Sequence, residues 1–252
     1  MQVRPQTDSS EFSPSVTIEQ TFNGVTNRVK DVAQPVVEAA ARPVTPITRR
    51  LSRKQRLVKR GFDLCLTIPG LVLLAPVFIL VALAVWLDSD GPVFFRQQRI
   101  GEGGQEFWMF KFRTMVQDAE ARATEVKQTN ARGETVYKHS ADPRVTRVGR
   151  LLRRTSIDEL PQLLNVLRGD MSLVGPRPEQ PWIAATYQSW QWQRCGVPQG
   201  LTCLWQIRGR SNRPLHLNTQ DDIEYIENYS FWLDIQIMLR TLEIILNGKG
   251  AF

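Results

Sequence analysis

Cysteine and histidine are scarce in this chain of 252 residues, and their scarcity limits the chemistry it can carry. The three cysteines, Cys65, Cys195 and Cys203, have no CxxC spacing, and the two histidines are His139 and His216. An odd set of cysteines argues against a disulfide framework and fits a reducing compartment. The missing CxxC spacing and the shortage of histidine also argue against a zinc or histidine-rich metal centre.

Positive charge is not spread along the chain, although the net charge is +7. Residues 1–60 contain 11 Lys and Arg against 5 Asp and Glu, whereas residues 61–252 contain 21 against 20. Most of the excess lies within residues 49–60. A nucleic-acid-binding domain would distribute basic residues over a folded face, with aromatic residues among them. Because this run instead borders the most apolar part of the chain, it predicts a membrane flank and no nucleic-acid partner.

Formal charge is absent from Leu64 to Leu87, a run of 24 residues bounded by Asp63 and Asp88. A helix of that length reaches about 36 Å, enough to cross a hydrocarbon core of about 30 Å. The run is not a signal peptide, because about sixty mostly polar residues precede it. A buried core helix is the alternative, but an entirely apolar run of this length favours membrane insertion.

Two prolines, Pro69 and Pro76, lie inside this run. Each removes a backbone donor and tends to kink or break a helix. The basic flank places the N-terminal side in the cytoplasm. Two topologies follow: a single pass that would export everything after Asp88, or a re-entrant helix that returns the chain to the cytoplasmic face.

The chain divides into three predicted regions. Residues 1–50 are polar with scattered prolines, and they predict a mostly disordered tail with a helical stretch near 32–41. Residues 51–90 form the basic flank and membrane helix, and residues 91–252 form the globular part. The predicted fold class is α+β and mainly helical: a membrane-associated catalytic domain with a re-entrant or single-pass N-terminal helix.

The globular part opens with two short aromatic runs, 93–97 and 107–113, around the turn Gly101–Gly104. This pattern predicts a short β-hairpin. Residues 116–140 predict a helix followed by a mobile loop. Further helices are expected over 144–154, 159–168, 178–192, 221–228 and 231–247.

Charged residues suited to catalysis or ligand binding are concentrated around an adjacent acidic pair, Asp158 and Glu159. The spacing Ser156-x-x-Glu159 also matches a capping box, so helix capping is the structural alternative for this pair. Arginines 150, 153 and 154 precede it, and Gly175-Pro176-Arg177-Pro178 follows it. Arginine binds phosphate in a bidentate manner, while carboxylates hold Mg²⁺ or attack phosphorus. The segment therefore indicates a site for a phosphate ester and a divalent cation, with surface salt bridges as the alternative for each arginine.

From about Arg60 to Phe252 the chain resembles the monotopic phosphoglycosyl transferases, also called bacterial sugar transferases. The matching segments, in order, are Lys59-Arg60-x-Phe62-Asp63, Gly91-Pro92, Gln97-x-Arg99-x-Gly101, Lys111-Phe112-Arg113-Thr114-Met115, Asp142-x-Arg144-x-Thr146-x-x-Gly149, Asp158-Glu159-Leu160-Pro161-Gln162, a block from Asn165 to Pro178, Gly200-Leu201-Thr202, Trp205-Gln206, Gly209-Arg210 and Gly250-Ala251-Phe252. They cover roughly three quarters of the chain, and the 158–178 block is highly specific.

The resemblance implies a reaction and its participants. A sugar-1-phosphate would move from a UDP-sugar to polyprenyl (undecaprenyl) phosphate with release of UMP, the first membrane step of exopolysaccharide, O-antigen or glycoconjugate synthesis. Asp158 would be the nucleophile of a covalent aspartyl-phosphosugar intermediate and would bind Mg²⁺, while Glu159 would assist by positioning or by accepting a proton. By motif position, the groups for substrate phosphates or the nucleotide would be Lys111, Arg113, Arg153, Arg177 and Arg210.

The resemblance also implies a location. Family members carry a re-entrant helix broken at a Ser-Pro pair, and the matching pair here is Ala75-Pro76, which lacks the hydroxyl. We expect the membrane break at this pair. Because UDP-sugars are cytoplasmic, re-entry is favoured over spanning, with the catalytic domain on the cytoplasmic face of the bacterial inner membrane.

Two other functions remain in competition. One is a membrane-anchored scaffold that keeps the fold without turnover; the intact set Asp158, Glu159, Lys111 and Arg177 argues against it. The other is a glycosidase, but adjacent helical residues point about 100° apart and rarely straddle one glycosidic bond. The sugar stays open among glucose, galactose, N-acetylgalactosamine and a deoxyamino sugar, and a homodimer through the membrane-proximal face is a candidate assembly.

Overall fold

The computed structural model of the chain describes residues 48, 50–119, 121–122, 128–129, 135–136, 142–209, 215 and 218–247. Apart from positions 48 and 50, the predicted tail over residues 1–50 and its helix near 32–41 lie outside the described residues. Most of the helix and loop predicted over 116–140 lies outside them as well.

The longest element is α1 (Arg53–Asp88), which a capping box begins. Gln55 N donates to Ser52 Oγ at 3.3 Å, and Ser52 N donates to Gln55 Oε1 at 2.9 Å. The helix then continues through Pro69 and Pro76 to its end. The backbone stays helical at Ala75 and Pro76, and the membrane break expected at this pair stays a prediction.

The globular part supports α1 on both sides of Pro76. Before the proline, Leu71 and Leu74 pack against the main core; after it, Phe78 and Val81 pack against a second apolar cluster. Helical packing contacts before and after the proline stabilise the helix where its backbone has lost a hydrogen bond.

One side of α1 is attached to the globular part from end to end. Near its start, Asp63 Oδ1 accepts hydrogen bonds from Ser172 Oγ and Leu173 N, both at 3.0 Å. At its last residue, Asp88 Oδ2 accepts a hydrogen bond from Val148 N at 2.9 Å. Both ends of the apolar helix therefore contact the same globular body.

Part of the predicted membrane flank belongs to this contact. Lys59 is buried and its Nζ lies 2.7 Å from Asp234 Oδ2. Arg60 donates to the carbonyls of Val166 and Leu167 at 2.5 and 2.8 Å. Both cations therefore bind protein groups, whereas the sequence predicted that the whole basic run flanks the membrane.

The opposite side of α1 exposes apolar side chains. The large apolar residues exposed there are Leu57, Val58, Leu66, Ile68, Val72, Leu73, Ile79, Leu80, Leu83, Trp86 and Leu87. Among the described residues, α1 is the one helix long and apolar enough to cross a membrane by length and composition.

The predicted hairpin is confirmed as β1 (Phe94–Ile100) paired antiparallel with β2 (Glu106–Phe112), in a register from Phe94↔Phe112 to Ile100↔Glu106. Two further pairs were not predicted. Strands β3 (Gln128–Thr129) and β4 (Thr135–Val136) are antiparallel, and β5 (Ser172–Val174) runs parallel to β6 (Gly200–Thr202).

Four of the predicted helices are confirmed within three residues at each end. They are α2 (Arg147–Thr155), α3 (Gln162–Arg168), α6 (Gln220–Glu227) and α7 (Phe231–Leu246). A short helix, α5 (Leu204–Arg208), follows β6.

The helix predicted over 178–192 is wrong. The segment forms only α4 (Pro181–Ala184) and, further on, a 3₁₀ turn over Gln191–Gly196. Trp192 and Cys195 in this turn are buried with Ile100 and Ala184. The turn buries these apolar side chains without a continuous helix, and sequence periodicity could not reveal that contact.

Candidate active site

The acidic pair lies in a 3₁₀ turn, Ile157–Glu159, between α2 and α3. Ser156 has a left-handed backbone (φ 59°), which ends α2 and redirects the chain into the turn. Its side chain makes no capping hydrogen bond to the 3₁₀ turn, and the Glu159 side chain binds cations elsewhere. The capping-box alternative is therefore excluded. Both carboxylates are buried.

Glu159 is held by two cations. Its Oε1 accepts a hydrogen bond from Lys111 Nζ at 2.9 Å, and Arg177 donates to both of its carboxylate oxygens, with Nη1 at 3.2 Å from Oε2. Burial alone would raise the pKa of Glu159, but Arg177 and Lys111 outweigh it and hold that pKa well below its ordinary value. Glu159 is therefore a fixed anion that positions two cations and is a poor proton acceptor.

Asp158 has a different environment from its neighbour. Among the described residues, no side chain donates a hydrogen bond to its carboxylate. Burial raises the pKa of Asp158, Lys111 opposes that shift, and the charge of Glu159 adds to it. One member of the pair is therefore locked by cations, while the other keeps its oxygens available for a ligand.

Arg177 reaches Glu159 from the loop that follows β5. In this loop Gly175 N donates to the Thr202 carbonyl at 3.0 Å, and Gly200 N donates to the Pro176 carbonyl at 2.8 Å. A Cβ on Gly175 would lie 2.2 Å from the Pro198 carbonyl oxygen, so only glycine fits this close approach of two backbones. The parallel pair β5–β6 thus fixes the base of the Arg177 loop.

A buried arginine supports the same loop from behind. Arg194 Nη2 donates to the Arg177 carbonyl at 2.6 Å and lies 2.7 Å from Asp222 Oδ2. The side chains of Arg194 and Asp222 are each 1% exposed, so this pair is part of the protein interior. Sequence reasoning missed Arg194, since no motif links it to Arg177 along the chain.

The hairpin supplies Lys111, and Asn165 fixes the hairpin against the helix that follows the acidic turn. Asn165 Oδ1 accepts from Phe110 N at 3.0 Å, and its Nδ2 donates to the Trp108 carbonyl at 2.7 Å. Because Asn165 is on α3 and Lys111 is on β2, this clamp sets the distance between Lys111 and Glu159. Asn165 was within the matched motifs but was not predicted to have a role.

Arg99 is a second residue of β1–β2 that sequence reasoning left unassigned. Its Nη1 donates to the Pro178 carbonyl at 3.3 Å, and it lies 3.6 Å from Glu179. Burial and the nearby charge of Arg177 lower the pKa of Arg99 to about 10. Its place in the Gln97-x-Arg99-x-Gly101 motif was the signal that could have identified it.

The structure distributes the other predicted substrate-binding residues unevenly. Arg153 donates through Nε to Thr114 Oγ1 at 2.9 Å, and its charge opposes the rise in the pKa of Asp158, so it borders the pair. Arg113 instead donates to the carbonyl and hydroxyl of Ser89 at 2.5 and 3.0 Å, beyond the end of α1. Arg113 is thus not brought to the acidic pair, and Arg210 lies outside the described residues.

The residues around Asp158 fit a magnesium ion that takes most of its ligands from bound phosphate groups. Mg²⁺ is commonly bound by one or two carboxylates together with substrate phosphates rather than by an all-protein cage. Asp158 offers one buried carboxylate that accepts no side-chain hydrogen bond from the described residues. In the part of the chain that the structure describes, no group of three or more His, Cys, Asp or Glu could hold a metal. One carboxylate of this kind fits a cation that takes its other ligands from the phosphate oxygens of a bound molecule.

Comparison with known proteins gives a consistent set of relatives. The family model described as bacterial sugar transferase matches residues 54–248. The chain is 42% identical to the undecaprenyl-phosphate glucose phosphotransferase of Komagataeibacter xylinus over 233 residues, 86% of this chain and 41% of that protein. It is 41% identical to the galactosyl transferase CpsE of Streptococcus agalactiae serotype III over 196 residues, 77% of this chain and 43% of that protein.

A third relative is closer to this chain in length. The exopolysaccharide production protein ExoY of Sinorhizobium fredii is 38% identical over 198 residues, 77% of this chain and 88% of that protein. The chain thus spans less than half the length of the first two relatives and most of the third. The matched region contains α1, the hairpin, the acidic turn and the Arg177 loop.

Proposed function

The chain belongs to the bacterial sugar transferase family, and we propose that it transfers a sugar-1-phosphate from a UDP-sugar to undecaprenyl phosphate, releasing UMP. The observation that carries the proposal is the difference in environment between the two residues of the acidic pair. Glu159 is fixed by Lys111 and Arg177, whereas Asp158 accepts no side-chain hydrogen bond from the described residues. The names of two relatives, an undecaprenyl-phosphate glucose phosphotransferase and an exopolysaccharide production protein, support this reaction and its place in exopolysaccharide synthesis.

In the first half-reaction, a carboxylate oxygen of Asp158 attacks the phosphorus that bears the sugar. A bond forms between this oxygen and phosphorus, and the bond from phosphorus to the bridging oxygen breaks. UMP leaves with the electron pair, and a phosphosugar remains covalently attached to Asp158. In the second half-reaction, a phosphate oxygen of the lipid acceptor attacks the same phosphorus and restores the free carboxylate.

The surrounding cations serve both steps electrostatically. Lys111, Arg153 and Arg177 outnumber the two carboxylates, so the site can accept an anionic diphosphate beside an anionic nucleophile. Glu159 holds Lys111 and Arg177 in place before substrate arrives, which spares the reaction the cost of reorganising them. When Mg²⁺ is bound, Asp158 would hold it together with the donor phosphates, and the ion would neutralise charge on those phosphates.

The arrangement of α1 supports a domain that stays on one side of the membrane. Asp63 near the start of the helix and Asp88 at its end both contact the globular part, so a helix crossing the bilayer would separate groups that are hydrogen-bonded here. The exposed apolar side of α1 would then lie in one leaflet, with the site at the headgroup level. Because UDP-sugars are cytoplasmic, we place the domain on the cytoplasmic face of the inner membrane.

UMP release tests the proposal directly. Purified protein is supplied with a panel of UDP-sugars, Mg²⁺ and undecaprenyl phosphate, and Asp158→Asn is compared with wild type. We expect release with one sugar or a narrow set, lost on chelation and reduced by about 10³-fold or more in Asp158→Asn. The control is Asp118→Asn, which removes an exposed carboxylate outside the cluster and should retain activity.

Two outcomes would overturn this function. Folded wild-type protein that releases no UMP with any donor would favour the scaffold alternative. Hydrolysis of a glycoside would favour the glycosidase, although Glu159 is poorly suited to act as a general acid because its pKa is held low.

A further inference from the structure

A cavity of about 230 Å³ opens beside the acidic turn. Its walls come from four parts of the fold: the turn itself, the strands β5 and β6, the helix α5, and one side of α7. Residues representing these walls are Glu159, Leu160, Leu201, Ile207, Met238 and Leu242. The cavity therefore adjoins the reaction centre but extends away from it toward the last helix.

The cavity wall has few polar groups, and most of them are engaged within the protein; Gln206 Oε1, for example, accepts a hydrogen bond from Cys203 Sγ at 3.3 Å. Glu159 is held by Lys111 and Arg177, as described above. Thr241 Oγ1 donates to the Ile237 carbonyl at 2.7 Å, so in its 2.6 Å contact with Thr202 Oγ1 it is the acceptor. Both threonine hydroxyl protons are consequently used within the wall, and a guest would meet a surface that is mostly hydrocarbon. A nucleotide or a sugar ring would lose its hydrogen bonds to water there without replacing them.

The outer end of the cavity reaches an exposed apolar surface. Leu242 and Ile245 both line it, and they are 55% and 44% exposed on α7. The next residue, Leu246, is 86% exposed. The apolar wall thus extends from Glu159 to an exposed apolar side of α7, where contact with water is unfavourable.

We propose that this cavity binds the isoprene units nearest the phosphate of the polyprenyl phosphate acceptor, with the rest of the chain leaving along α7. The inference rests on the proposed function and adds a subsite to it. An amphiphile fits this arrangement. Its anionic head would lie beside Lys111 and Arg177, which bind Glu159 at the inner end of the cavity but do not line it, and its alkyl tail would follow the apolar side chains toward α7. An apolar cavity of about 150 Å³ holds one benzene ring, so about 230 Å³ suits a short, bent hydrocarbon segment.

A pair of matched substitutions on α7 tests the subsite. Leu242 lines the cavity, whereas Leu239 does not, and the two are 55% and 60% exposed. Tryptophan at either position keeps the helix surface apolar, but only Leu242→Trp places a large ring at the cavity. We expect Leu242→Trp to raise the KM for undecaprenyl phosphate by about tenfold, the ratio expected from loss of about two buried methylene groups. Leu239→Trp should leave that KM within about twofold of wild type.

The donor half-reaction separates this proposal from the proposed function. UMP released from UDP-sugar without acceptor should be equal in wild type and Leu242→Trp, because the donor does not use the cavity. Equal KM values in the two variants, or loss of the donor half-reaction in Leu242→Trp, would overturn the subsite while leaving the transferase intact. Wild-type protein that transfers nothing would overturn the proposed function itself.

A second measurement uses unmodified protein, in case Leu242→Trp does not fold. A polyprenyl phosphate with a photoreactive diazirine on its second isoprene unit is bound and irradiated, and labelled peptides are sequenced by mass spectrometry. We expect labels between Met238 and Ile245 that unlabelled undecaprenyl phosphate competes away. Labels confined to α1, or unaffected by this competitor while phospholipid removes them, would contradict the proposal and indicate a bilayer acyl chain in the cavity.

Discussion

Lys111 Nζ and Glu159 Oε1 lie 2.9 Å apart, with their side chains 19% and 11% exposed. The two residues come from separate parts of the fold, β2 and the 3₁₀ turn, and the same carboxylate also binds Arg177. This ion pair therefore links the hairpin, the acidic turn and the Arg177 loop. The predictions below follow from that linkage and from the distinct environment of Asp158.

Removing the charge of Glu159 should weaken both stability and activity. Glu159→Gln leaves Lys111 and Arg177 without their anion, and breaking a buried ion pair in this way costs about 3 kcal/mol of unfolding free energy. Denaturant unfolding measures it. The control is Glu224→Gln, whose partner Arg208 is at the surface; that change should cost less than about 1 kcal/mol. Equal losses in the two variants would contradict the linking role of Glu159.

Arginine at position 177 should not be replaceable by lysine. Arg177 donates to both oxygens of Glu159, and a lysine ammonium cannot reproduce that planar geometry. We expect Arg177→Lys to lower kcat/KM for the UDP-sugar by about tenfold or more. Arg168→Lys, on α3 with its guanidinium over the Phe110 ring, provides the comparison and should have a smaller effect. The same kcat/KM for both variants would argue against a role for the bidentate contact.

The pH dependence of the reaction should reflect the raised pKa of Asp158. A nucleophilic carboxylate must be ionised, so kcat/KM should fall with decreasing pH through a value above the ordinary 3.8 of Asp. Glu159 contributes to the rise, and Glu159→Gln should therefore shift the acid limb to lower pH. An unshifted or upward-shifted limb in the residual activity of that variant would contradict this electrostatic account.

The raised pKa of Asp158 affects activity and stability in opposite directions. Ionisation activates the nucleophile, but it lowers the free energy of unfolding. Because the folded-state pKa of Asp158 is raised, the protonated group favours the folded state below pH 3.8, and this stabilisation is lost as pH rises through the folded-state value. At neutral pH the ionised Asp158 thus lowers the unfolding free energy. Asp158→Asn should be at least as stable as wild type at pH 7 while being inactive, as thermal unfolding at several pH values will test.

The backbone crossing at Gly175 should tolerate no side chain. A Cβ there would lie 2.2 Å from the Pro198 carbonyl oxygen, whereas at Gly61 in α1 it would meet nothing within 4 Å. We expect Gly175→Ala to displace the Arg177 loop and to lose both stability and UMP release. Gly61→Ala should stabilise the protein by about 0.5–1 kcal/mol through helix propensity. Normal activity in Gly175→Ala would show that the loop does not need this crossing.

Labelling of single cysteines can locate the two ends of α1. In a Cys65→Ala background, in which Cys195 and Cys203 are buried, Lys54→Cys and Asp90→Cys place exposed thiols just inside and just beyond the helix. If both ends lie on the cytoplasmic side, an impermeant maleimide should label both in inside-out vesicles and neither in intact spheroplasts. Labelling of Asp90→Cys from the outside would indicate a spanning helix.

Sequence patterns predicted the elements that depend on local signals. The apolar run, the glycine turn of the hairpin and the periodicity of α2, α3, α6 and α7 all depend on residues near each other in the chain. The acidic pair was singled out by its local sequence, and Lys111 was assigned through the family resemblance. The continuity of α1 through Pro76 was not predicted, because it depends on side chains from distant elements that pack against the helix.

Contacts between distant parts of the chain account for the remaining differences. Arg113 resembles Lys111 in motif position, yet the fold directs it to Ser89 beyond the end of α1. Arg194 supports the Arg177 carbonyl through a hydrogen bond that crosses the interior, and the parallel pairing of β5 with β6 has no local sequence signal. Such relationships are set by tertiary packing, which single motifs do not encode.

The covalent intermediate on Asp158 is the most direct test of the account. Protein is incubated with UDP-sugar and Mg²⁺ without acceptor and digested with trypsin, and the peptide Thr155–Arg168, which contains Asp158 and Glu159, is analysed by mass spectrometry. We predict a mass increase equal to one phosphosugar, located on Asp158 by fragmentation, removed by undecaprenyl phosphate and absent from Asp158→Asn. UMP release at the wild-type rate from Asp158→Asn, or an adduct on another residue, would contradict the account.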